Sequence, residues 1–79
     1  MNNLIVRVNE QFEADRLTKY FSNSYASQDN LNKPVVVFPR LDNLLTYAKE
    51  SAMILNRSVS CFGMKEDGTK FSLLNKEKN

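Results

Sequence analysis

The spacing of apolar residues changes several times along the chain, and each change marks an element. Leu4-Ile5-Val6-Arg7-Val8 is a short β-rich run and predicts a first strand. Its alternation puts Leu4, Val6 and Val8 on one face and Ile5 and Arg7 on the other. Asn9 suits the cap of a helix, with Glu10 and Glu13 in the first turn, where the helix dipole favours anions. Phe12, Leu17, Tyr20 and Phe21 give that helix an imperfect apolar stripe, and Asp15 and Lys19 stand four apart on its solvent side. From Asn23 to Lys33 the chain is polar and predicts a long loop, pinned by Tyr25 and Leu31 or else mobile.

Pro34-Val35-Val36-Val37-Phe38 is a continuous β-branched run and predicts a central strand buried on both faces, begun by Pro34 and ended by Pro39. Leu41, Leu44, Leu45, Ala48, Ala52 and Leu55 then fall at helical spacing, the clearest periodicity in the chain. Asp42 is the expected cap of this second helix, and Asn56 and Arg57 suit its end. Segments 58–65 and 70–74 flank Asp67-Gly68, a strong tight-turn signal, and predict a closing hairpin. Residues 75–79 read as a polar, frayed tail.

These elements predict one α+β domain over residues 1–79, a two-layer α/β sandwich of βαβαββ order. It would have a four-stranded mixed sheet, two helices on one face and a C-terminal hairpin. A two-residue turn at Asp67-Gly68 sets Met64 opposite Phe71 and Phe62 opposite Leu73, which turns those four toward the helices. The helix-free face then carries Ile5, Val59, Cys61, Leu74 and a pair such as Val36 and Phe38, rimmed by Arg7, Lys65 and Lys70. That is more apolar surface than a monomer usually leaves open, and it is the candidate binding face. The alternatives are that the 23–33 loop folds over it or that the helices divide between the two faces.

Composition narrows the chemistry. Hydrophobic content of 42% and charged content of 25% suit a folded domain, and 79 residues allow only a thin core. The chain has no histidine, no tryptophan and one cysteine, so the usual catalytic and zinc constellations cannot be assembled. Cys61 lacks a histidine base and lies mid-strand, where a thiol is usually buried and inert. Glu10 with Glu13 suits a helix start, and Glu66 with Asp67 suits a turn tip, so neither pair reads as an acid/base dyad. No GxGxxG or GxxxxGK[ST] loop is present. We therefore expect no enzyme, no metal and no cofactor. A single cysteine and no apolar run near the ~20 residues of a membrane span imply a cytoplasmic protein with no membrane partner.

The strand-helix-strand-helix-hairpin order resembles that of the Alba chromatin proteins and of the C-terminal domain of bacterial initiation factor three. The resemblance is of topology alone and carries no motif of either. The TusA-type sulfur carriers share the order too, but their Cys-Pro-x-Pro helix start is missing. A net charge of +2, with a pI of about 8.8, falls short of the value above about 9 typical of nucleic-acid domains. The basic residues are also interspersed with Glu66, Asp67 and Glu77, and no aromatic pair for stacking bases shows on the presumed open face.

The expected function is therefore that of a small non-enzymatic binding protein. It would dock a protein partner through the face marked by Ile5, Arg7, Val59, Cys61, Lys65, Lys70 and Leu74. Small size and Asn/Lys-rich composition suggest an accessory protein of a phage or mobile element that inhibits or modulates a host protein. RNA or DNA binding through the same face is the alternative, and a homodimer joined through it is a third.

Overall fold

The computed structural model describes residues 1–73 and contains one more strand than the apolar pattern predicts. The elements are β1 (Asn2–Arg7), α1 (Gln11–Tyr20), β2 (Tyr25–Gln28), β3 (Pro34–Leu41), α2 (Leu44–Leu55), β4 (Ser60–Met64) and β5 (Lys70–Ser72). They form a five-stranded sheet in the order β2-β3-β1-β4-β5 in which every neighbouring pair is antiparallel. This corrects the four-stranded mixed sheet. The first six elements follow the split-βαβ, or ferredoxin-like, arrangement, and β5 is added beside β4. The topological likeness to the Alba and initiation-factor domains therefore lapses. The frayed tail expected at 75–79 lies outside the described residues.

The added strand comes from within the predicted loop. Asp29 N–H donates to the Lys33 carbonyl and Asn32 N–H to the Asp29 carbonyl, closing a three-residue turn with Asn32 left-handed at φ 64°. The Asp29 side chain accepts the Leu31 and Lys33 amides and braces the turn. The closing hairpin repeats this geometry. Lys65 N–H donates to Thr69, Gly68 N–H donates to Lys65, and Gly68 sits at φ 94°. In both turns a residue tolerant of positive φ occupies the third loop position.

A three-residue turn shifts the hairpin register by one. Met64 faces Lys70, Gly63 faces Phe71 and Phe62 faces Ser72. Phe71 and Leu73 still turn to the helices, but on β4 the parity reverses, so Phe62 and Met64 leave the helix side. Gly63 is needed where it lies, because a Cβ there would come 2.2 Å from the Phe71 ring.

Both helices do pack on one face, over Leu4, Val6, Val36 and Phe38, which are fully buried. Phe38 meets Phe21 of the α1 end at 5.0 Å and Tyr47 of α2 at 5.5 Å, an aromatic cluster joining all three elements. Pro39 does not end β3. A bulge holds Pro39 and Arg40 opposite Asn3, with Arg40 at φ 57° and its N–H donating to Asn3 Oδ1.

The helix ends differ in detail from the expected caps. Asn43, not Asp42, caps α2 by accepting the Thr46 amide. Glu10 occupies the α1 cap without a side-chain bond, and Glu13 reaches back to the Asn9 amide instead. Asp15 accepts from Gln11. At the end of α2, Asn56 is left-handed, and the Asn56 and Arg57 amides return to Met53 and Ala52. That C-cap aims Arg57 at α1, where Nε and Nη2 donate to Glu13 at 2.8 and 2.6 Å. The hydrogen bonds to Arg57 hold the Glu13 carboxyl down at about 2.

Candidate functional site

Cross-strand pairing decides what the helix-free face carries. Opposed residues share a face. Ile5 faces Val37 and Phe62 across its two neighbours, Arg7 faces Val35, and Tyr25 faces Val37. Ile5, Val35 and Val37 thus form a floor, and Phe62 and Met64 pack against it from β4. Tyr25, 53% exposed, stands at the opposite side on β2. Between these walls lies an open trough of about 380 Å³ whose rim adds Asn3, Ser27, Gln28 and Asn30.

Two cations flank one aromatic wall. The Arg7 guanidinium lies 5.2 Å from the Phe62 ring centroid and the Lys70 ammonium 5.3 Å from it. Arg7 also pairs with Asp29 at 3.3 Å. The Lys33 amide, then the Leu31 amide and the Arg7 charge, hold the Asp29 carboxyl below its ordinary range. The trough is consequently aromatic and apolar at its centre, with Lys70 positive at its β5 end, the Arg7–Asp29 ion pair along its rim, and neutral amides and hydroxyls elsewhere.

The expected site residues divide. Ile5, Arg7 and Lys70 are brought together in the trough. Lys65 is exposed at the hairpin turn, outside it. Val59 and Cys61 are corrected: they share the parity of Val8 and Val6 and pack against the core on the helix side. The pair Val36 and Phe38 is corrected likewise, since they oppose Val6 and Leu4, and Val35 and Val37 take the open face. Leu74 lies outside the described residues. Phe62, Met64 and Tyr25 were missed. The first two follow from the turn length, which Asp-Gly alone does not specify, and Tyr25 follows from a strand with no apolar alternation.

Among the described residues the trough holds no nucleophile with an adjacent base, and its one carboxylate is engaged by Arg7 and two amides. Among the described residues no three or more His, Cys, Asp or Glu side chains are grouped to hold a metal ion. No helix among them is long and apolar enough to cross a membrane. Against family models, curated proteins and solved structures alike, the chain finds no match.

Proposed function

We propose that the chain is a small non-enzymatic binding protein whose helix-free sheet face docks a partner protein. The observation that carries this reading is the trough itself, where Tyr25, Phe62 and Met64 stand around an apolar floor with Arg7 beside them. Aromatic residues, Met and Arg are the types enriched at protein interfaces, and a concave aromatic patch is where binding energy concentrates. The reading extends to an accessory protein of a phage or mobile element, acting in the reducing cytoplasm on a host protein. Small size, a single cysteine and Asn/Lys-rich composition support that extension.

The test is a photo-crosslinking amino acid placed singly at Tyr25, Met64 or Met53 in cells of the source organism. Met53 is 74% exposed on α2 and serves as the off-face control. The proposal predicts one adduct with a different protein, distinct in mass from a dimer of the chain, from positions 25 and 64 and none from 53. Equal labelling from all three positions, or none from the trough, contradicts it.

A specific observation favours single-stranded RNA or DNA as the second reading. Phe62, flanked by two cations, and Tyr25 stand three strand spacings apart, about 14 Å. That separation suits two non-adjacent bases of one extended strand, each stacked on its own ring, with phosphates over Arg7 and Lys70. This reading predicts oligonucleotide affinity that falls steeply with salt and is lost in Lys70→Glu. Salt-insensitive or absent binding removes it.

A further inference from the structure

Among the described residues the sheet ends at β2, a strand of four residues whose main protection against edge pairing is its shortness. It carries no charge, no proline and no bulge, and all four of its residues are exposed. The uncharged stretch extends back through Phe21-Ser22-Asn23-Ser24. At the opposite end of the sheet, β5 begins with Lys70, a residue type that blunts edges. Because β2 is hydrogen-bonded to β3 on one side only, its outer edge presents backbone donors and acceptors that a further strand would satisfy.

We propose that this edge pairs with β2 of a second copy, in antiparallel register about a two-fold axis at Ala26. Of the registers that side-chain parity allows, the one centred on Ala26 pairs Tyr25, Ala26 and Ser27 with strand residues and keeps Asp29 outside them. Tyr25 and Ser27 belong to the open face and Ala26 to the helix side, because they oppose Val37, Val35 and Val36. Opposed residues must share a face, so Tyr25 meets the partner's Ser27, and Ala26 meets the partner's Ala26. No charge falls within the paired strands, and Asp29 lies opposite the partner's Asn23, so like charges are not set against each other. The two Tyr25 rings sit diagonally across the seam, within reach of one another, which covers the more exposed of the trough's two aromatic walls. In this register the uncharged strand meets its own sequence with no like charges opposed, and a two-fold pairing closes after two copies, so a second copy is the occupant.

The result is a continuous ten-stranded sheet, two copies of five, on whose helix-free face the two troughs abut. The partner's Tyr25 then completes the outer wall of each trough. The pairing stands on the strand edge alone and holds whatever the trough binds.

Sedimentation equilibrium of the intact chain from micromolar to millimolar concentration tests this, with Ser27→Lys, Tyr25→Ser and Phe12→Ser run in parallel. Thermal unfolding checks that each variant is folded. The proposal predicts a monomer–dimer equilibrium whose midpoint Ser27→Lys raises by at least about tenfold, because a lysine at an edge opposes pairing. Tyr25→Ser weakens the dimer, and Phe12→Ser leaves it unchanged. A wild-type monomer throughout the range overturns the proposal. So does a dimer that Ser27→Lys leaves intact, or one that Phe12→Ser abolishes, because Phe12 and Tyr20 form a separate exposed patch on α1.

Discussion

Arg57 grips Glu13 through two hydrogen bonds across 44 residues of sequence and so ties the end of α2 to the first turn of α1. The Glu13 side chain is 10% exposed and that of Arg57 30% exposed, so the pair is partly shielded from solvent. Replacing Glu13 by Gln removes the charge and leaves Arg57 half-satisfied. The expected loss is about 2 kcal/mol, below that of a fully buried pair because Arg57 reaches water. Urea unfolding at neutral pH measures it.

The same pair sets an acid limit. Glu13 falls from 4.5 to about 2 on folding, chiefly through its hydrogen bonds to Arg57. A carboxyl depressed in the folded state contributes stability that is fully present above its unfolded value and lost as pH falls through its folded one. Stability should therefore decline between pH 4.5 and about 2, and Glu13→Gln should flatten that part of the profile. An equally steep acid limb in the variant would assign the loss to other carboxylates.

Ser51 faces the core from α2 and is fully buried, and its hydroxyl has no hydrogen-bond partner among the described residues. Ser51→Ala removes an unsatisfied polar atom and improves helix propensity. We expect stabilisation of about 1 kcal/mol, read as a higher unfolding midpoint at unchanged m-value.

Gly63 lies under the ring of Phe71. Gly63→Ala forces that ring outward and should cost about 1–3 kcal/mol. Phe71→Leu should absorb much of this, so the double variant will be more stable than the sum of the single effects implies. Strict additivity would show that the ring does not depend on the glycine.

The β2–β3 turn needs positive φ at Asn32. Asn32→Gly should change stability by less than about 0.5 kcal/mol, whereas Asn32→Val should cost about 1–3 kcal/mol and loosen β2 first. Hydrogen exchange of the Tyr25–Gln28 amides reports that loosening directly.

Much of this fold is legible in the sequence, and the misreadings share a cause. β1, the central run of β3, α2 and the existence of the closing hairpin all carry strong periodicity or turn signals. β2 does not. Tyr25-Ala26-Ser27-Gln28 is an exposed edge strand with no apolar alternation, and its turn uses Asn32 where glycine would have announced it. Asp67-Gly68 marks a turn but does not choose between two- and three-residue loops, and that choice reverses the parity of β4. The run Val35 to Phe38 is apolar on both faces, so only its pairing with β1 tells which residues meet the helices. Ile5, Arg7 and Lys70 were legible because their parity does not depend on the turn or, for Lys70, survives it.

The floor residues make poor handles for testing the docking face. Ile5, Val35 and Val37 are each less than 9% exposed, so a charge there would unfold the domain. Tyr25 is exposed and Met64 partly exposed at the edge of the floor, so both can be changed at less cost to the fold. The central test is therefore a nuclease-treated capture from cells of the source organism with tagged wild type, the Tyr25→Ser/Met64→Ser double variant and a Met53→Ser control. A stoichiometric protein should be retained by wild type and the control and lost from the double variant. Retention by all three, or recovery of nothing once nucleic acid is digested, would contradict docking through this face.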